Sequence, residues 1–184
     1  MTINESATRS AQIDIPTGRY RLDPQLTTIA FSAKKLGLFT IRGTMRVVSG
    51  TFTVASPLER SILHAVVAAD SFTTPMRKRD EHVKGRTLLD TATYPNFEFD
   101  STGIAASEGG WEIRGLLALH GKVAPAVLTV EEARLEDGLA QVRAHASIDR
   151  RDFGVTAQRV AASWLIDVQI EAVGSPVREA RRDR

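Results

Sequence analysis

Alternation with a period of two residues, kept up from residue 18 to residue 174, is the feature that most restricts the fold. In AQVRAHASID, Ala140, Val142, Ala144, Ala146 and Ile148 fall on one parity. Gln141, Arg143, His145, Ser147 and Asp149 fall on the other. WLIDVQIEAV repeats the pattern, with Trp164, Ile166, Val168, Ile170 and Ala172 opposite Asp167, Gln169 and Glu171. TIAFSAK offers Ile29, Phe31 and Ala33, and WEIRGLLAL offers Trp111, Ile113, Leu117 and Leu119. Successive side chains of a strand point to opposite faces, so each segment has one apolar and one wet face. That suits an antiparallel sheet packed on one side.

Turn residues punctuate the alternation at Gly18, Gly50, Ser56 with Pro57, Gly109 with Gly110, Gly121 and Gly138. Strands are expected near 18–24, 27–35, 40–48, 50–56, 61–72, 95–106, 111–120, 123–135, 138–150 and 163–174. A helix is predicted near 76–90. Short turns between consecutive strands imply antiparallel neighbours, in a sandwich or an up-and-down barrel. Several strands exceed the usual length of about 5–6 residues. Eleven tilted residues stand roughly 28 Å tall, which favours a tall barrel. The small residues Ala33, Ala140, Ala144, Ala146 and Ala172 on the inward parity leave room for an apolar cavity.

At 184 residues the chain has the material for one domain. Residues 1–17 and 175–184 lack periodicity and are expected to be disordered tails around a body at 18–174. There is no cysteine, which excludes disulfides, thiolate metal sites and thiol nucleophiles. The formal charge is +2, of which residues 175–184 hold +2 and residues 1–17 hold −1, leaving the body near +1. Binding of nucleic acid would need a basic face on the body, composition does not show one, and no nucleic-acid partner is expected. No apolar run is long enough for an integral membrane segment, and no signal peptide is legible at the amino terminus. A cytoplasmic location is the expectation.

Enzyme signatures are sparse. There is no G-x-S-x-G elbow, no G-x-G-x-x-G and no Walker loop. His64, His82, His120 and His145 never fall at metal-ligand spacing. No metal or cofactor is expected. Charge instead concentrates in TTPMRKRDEHVKGRTLLD, residues 73–90, and in DRRDFG, residues 149–154. By local pattern, each is a surface charge network or a polar site.

Four stretches resemble the YceI-like family when taken in order. They are GRYRLDPQLTTIAFSAKKLGLFTIRGT, SFTTPMRKRDEHVKGRTLLDTATYPNFEFDST, IRGLLALHGKVAPAVL and IDRRDFGV. The sequence departs from that family's pattern at Met45, at Leu88 with Leu89, and at Ala118 and His120. The resemblance implies an all-β, lipocalin-like antiparallel barrel of about eight long strands, with one short helical insertion near 76–90. It further implies non-enzymatic binding, sequestration or transport of an isoprenoid or other lipid.

On that reading the strand residues Phe31, Phe39, Phe97, Phe99, Trp111, Ile113 and Leu117 are expected to line the interior. So are Val142, Ala144, Ala146, Ile148, Phe153, Trp164, Ile166 and Val168, with Met76, Leu88 and Leu89 closing it. Ordinary core packing is the alternative for each. Arg79, Asp80, His82, Arg150, Arg151 and Asp152 are expected to form a polar rim. Burying a CH₂ is worth ~0.8 kcal/mol, so one isoprene unit contributes roughly 3–4 kcal/mol. Two other readings stay open. One is an enzyme acting on a lipid through His82 with Asp80 or Asp152. The other is a filled structural or interaction barrel, for which a homodimer remains open.

Overall fold

The computed structural model describes residues 12–178, apart from 36, 109 and 158–161. The strands are β1 (Gln12–Asp14), β2 (Gly18–Leu22), β3 (Thr28–Lys35), β4 (Phe39–Val54) and β5 (Ile62–Thr73). They continue as β6 (Asn96–Ser107), β7 (Gly110–Leu119), β8 (Lys122–Glu136), β9 (Leu139–Asp149) and β10 (Leu165–Pro176). One helix, α1 (Arg77–Lys84), lies between β5 and β6, and a 3-10 turn, Leu58–Arg60, lies between β4 and β5.

Each strand from β4 to β10 pairs antiparallel with the next. β2 and β3 share one position in the ring. Both sit between β10 and β4, β2 toward one end and β3 toward the other. The result is a closed eight-stranded antiparallel barrel, and closure leaves no long strand edge unpaired. The β5–β6 connection with α1 and the β3–β4, β7–β8 and β9–β10 connections gather at one end, called upper here. The β4–β5, β6–β7 and β8–β9 connections gather at the lower end.

Turn chemistry agrees with this order. The β7–β8 turn places His120 and Gly121 at φ 53° and 71°, and the β8–β9 turn places Asp137 and Gly138 at 51° and 77°. Two consecutive left-handed residues make a turn whose twist matches that of the flanking strands. Inside the wall, Gly43 and Gly115 act differently. A Cβ on Gly43 would collide with the Phe31 ring, and one on Gly115 with the Phe99 ring. Both aromatic rings therefore lie flat against the wall, and Phe31 stacks on Phe72 with centroids 4.7 Å apart.

The structure corrects the sequence expectation at four places. β4 runs unbroken through the expected turn at Gly50, and its register with β5 shifts between Val47 and Ser49. A bulge of this kind breaks alternation as a turn does, without reversing the chain. Gly50 is buried because the Leu22 side chain passes where its Cβ would be. The helix covers only Arg77–Lys84, with turns completing the connection to β6.

The expected amino-terminal tail contains β1, which pairs in parallel with β8 from Glu132 to Arg134. Ile13 and Ile15 pack there against Val130, Ala133 and Ala144. At the carboxyl end, β10 reaches Pro176 and pairs with β2 through Tyr20. The remaining tail residues, 1–11 and 179–184, lie outside the described residues.

Candidate functional site

The barrel is hollow. A cavity of about 720 Å³ runs along its axis, bounded by the inward parity of every strand from β2 to β10. Phe97 and Phe99, Trp111, Ile113 and Leu117, Val142, Ala144, Ala146 and Ile148, and Ile166 and Val168 all line it, as does Phe31. These are the residues that alternation points inward. Met76, Leu88 and Leu89 line its upper end.

The lower end is closed by residues the sequence placed elsewhere. Ile13 and Ile15 face the cavity, and so does Leu58 of the 3-10 turn. The segment between β1 and β2 is clamped by Tyr20, whose hydroxyl donates to the Pro16 carbonyl at 2.8 Å. Tyr20 itself is buried and stacks on Phe52 at 4.9 Å. Burial raises its pKa, keeping the phenol in the donating form.

Charge enters at the upper end alone. Lys35, Lys78, Arg79, His82 and Arg150 line the cavity, and no carboxylate stands among its described lining residues. A second groove of about 620 Å³ opens outward beside α1 and the β3–β4 hairpin. It shares Lys35, Ile41, Met76 and Arg79 with the main cavity and adds Phe39 and Arg42. The site is thus an apolar tube with one cationic mouth.

Arg150 anchors that mouth. Its Nε donates to Ser163 O at 3.1 Å, and Nη1 donates to Val155 O at 2.6 Å and Ala157 O at 2.9 Å. Nη2 donates to Ala162 O at 3.3 Å. The guanidinium also lies 4.4 Å from the Trp164 ring centroid. One planar fork therefore gathers both sides of the connection between β9 and β10. Burial pulls the Arg150 pKa below the ordinary arginine value, with Asp149 opposing.

Several expected site residues are placed elsewhere. Asp80 is buried and absent from the cavity lining. Its carboxylate accepts from the Thr74 backbone N–H at 3.0 Å, the Thr74 hydroxyl at 2.7 Å and the Thr73 hydroxyl at 3.3 Å. Burial pushes its pKa up, yet these donors and Lys84 outweigh it and hold the acid below its usual range. Asp80 fixes the approach to α1, which has no side-chain N-cap.

Arg151 turns outward onto Asp149, to which its Nε donates at 2.9 Å and its Nη2 also donates. These bonds, helped by the Arg151 backbone N–H, lower the Asp149 pKa to about 2. Asp152 is exposed. Phe153 is 1% exposed and packs with Leu88, Ala124 and Val155 in the wall, outside the cavity. Trp164 sits under Arg150 and Phe39 lies in the outer groove, so neither lines the main cavity.

The histidines do not converge. His64 pairs with Asp100 at 2.7 Å and His145 with Glu131 at 2.9 Å, all four on the exposed wall. His120 belongs to the β7–β8 turn and only His82 faces the cavity. Among the described residues, no cluster of three or more His, Asp or Glu could hold a metal ion. Among them also, no helix is long and apolar enough to cross a membrane.

A closed antiparallel barrel with a hollow apolar interior and one polar mouth defines the lipocalin-like class. Within it, the chain belongs to the YceI-like domain family, whose model matches residues 20–173. It is 26% identical over 170 residues to a UPF0312 protein of Yersinia pestis, covering 86% of this chain and 87% of that protein. A UPF0312 protein of Pseudomonas savastanoi is 28% identical over 153 residues, covering 79% of this chain and 80% of that one.

Among solved structures, BcnA of Burkholderia cenocepacia superposes with a TM-score of 0.71 at 18% identity, over 83% of this chain and 98% of BcnA. A polyisoprenoid binding domain from Saccharophagus degradans, implicated in plant cell wall breakdown, superposes with a TM-score of 0.64. It is also 18% identical, over 88% of this chain and all of that one. At such identities the likeness is one of fold.

Proposed function

We propose that the barrel binds a long-chain amphiphile, with the tail along the axis and the head group at the cationic mouth, and so sequesters or carries it. The observation that supports this reading is the segregation of the lining: apolar along the tube, charged at one end. The volume lies within the usual range of roughly 300–1,000 Å³ for small-molecule sites. The likeness in fold to a polyisoprenoid binding domain points to the same ligand class.

The volume also limits the guest. At roughly 30 Å³ per heavy atom, the share of a water in the liquid, the cavity holds about two dozen heavy atoms. A tail of about twenty carbons fills it, and a much longer one would extend out through the mouth. At about 0.3 kcal/mol per heavy atom the affinity ceiling is about 7 kcal/mol. That corresponds to a dissociation constant on the order of 10 μM.

Binding without turnover is the favoured role. Asp80 is already engaged by two threonines, which speaks against it as an acid–base partner for His82. The test is titration with a fluorescent polyene fatty acid. Ala144→Phe with Ala146→Phe should weaken binding about ten-fold or more while the strand signature in circular dichroism persists. Unchanged affinity in that folded variant would rule out the axial site.

A further inference from the structure

Single exposed apolar residues are ordinary on a protein surface. The upper rim differs in what surrounds them. Leu38 is 83% exposed, Phe39 64% and Met76 54%, and the first two stand together at the β3–β4 hairpin. Phe39 and Met76 both line the outer groove, which shares Lys35, Ile41, Met76 and Arg79 with the cavity lining.

The charged side chains that line the groove and the cavity beside it have one sign. Lys35, Arg42 and Arg79 line the groove, Lys78 lines the cavity beside it, and Lys34 is exposed on the same hairpin. The nearby acids of α1 are already engaged. Glu81 accepts from Arg77 at 2.9 Å, and Asp80 is buried against Thr73 and Thr74. A protruding apolar tip within a cationic collar complements an interface that offers anionic head groups above an acyl layer.

We propose that this rim docks on an anionic lipid bilayer, with Leu38, Phe39 and Met76 entering the head-group boundary and the collar facing anionic lipid. The choice of a bilayer as partner rests on the amphiphile reading above. In this orientation the cationic mouth of the cavity faces the membrane, so a tail passes from the acyl layer into the barrel without crossing water.

Flotation of the full chain with lipid vesicles tests the docking. One set of vesicles is phosphatidylcholine alone, and the other is phosphatidylcholine and phosphatidylglycerol in equal parts. Partition should be stronger onto the anionic vesicles and should fall with added salt. Each Lys or Arg near such a surface is worth roughly five-fold, so Lys78→Glu should lower anionic partition by about that factor or more. Leu38→Asp with Phe39→Asp should abolish flotation. Leu135→Asp, at the lower end of β8, should float as the unaltered protein does.

Equal partition onto both compositions, flotation with neither, or indifference to the Leu38 and Phe39 changes would overturn the docking face. Solvent extraction of the unaltered protein separates this outcome from the fate of the cavity reading. Extractable lipid in a protein that ignores vesicles overturns the docking face alone. An empty interior in a protein that floats with the expected preference supports the docking face and overturns the amphiphile reading.

Discussion

Asp80 shows how one residue in the charged 73–90 segment serves the fold. It ties the end of β5 to α1 through Thr73 and Thr74, while the N-cap residue Met76 makes no side-chain cap bond of its own. Asp80→Ala strands a backbone N–H, which should cost about 1–3 kcal/mol in denaturant unfolding at neutral pH. The same carboxylate has a folded pKa below its ordinary value, as Asp149 does at about 2. Below about pH 4 the unfolded chain therefore binds more protons than the folded one. The contribution of these acids is present above the ordinary carboxylate range and is lost as pH falls through their lowered folded values. Asp80→Ala should accordingly shrink the stability difference between pH 6 and pH 3. An unchanged difference would mean that Asp80 is not held below its usual range.

At the scale of elements, the strands were legible because each shows one apolar parity to the cavity. β7, β9 and β10 line it with the residues that alternation selects. Alternation misleads where the chain changes phase. Around Val47–Ser49 a bulge and a turn leave the same signature, and Gly50 favoured the turn; close approach by Leu22 explains that glycine better. QIDI places just Ile13 and Ile15 on one parity, and they acquire meaning only through β8. Lys35 continues the inward parity of Ile29, Phe31 and Ala33 at the end of β3. Helix and loop residues carry no such parity, so the sequence could not tell the cavity-lining Lys78 from the outward Arg151 and the buried Asp80. The lower closure makes its own prediction. Ile13→Ala with Ile15→Ala removes half-buried apolar contact and should destabilise the barrel by about 2–4 kcal/mol in all. It should also weaken binding of the polyene probe by opening the closed end. Unaltered stability and binding would show that β1 is dispensable to the cavity.

At the scale of the whole molecule, closure and hollowness belong together. A sheet closed at eight positions either fills its interior with side chains or holds one small ligand. Here Ala144, Ala146 and Ala172 and the rings seated over Gly43 and Gly115 keep the wall thin, leaving about 720 Å³. The cationic mouth then sets the polarity of the tube, since Lys35, Lys78, Arg79 and Arg150 all lie at one end. The most direct measurement is organic extraction and mass spectrometry of the purified full chain. It should be run beside the Ala144→Phe, Ala146→Phe variant and an unrelated control. The account predicts an amphiphile with a tail of about twenty carbons enriched in the unaltered protein, depleted in the variant and absent from the control. An interior that yields no amphiphile, even after incubation with isoprenoid lipids, would contradict it.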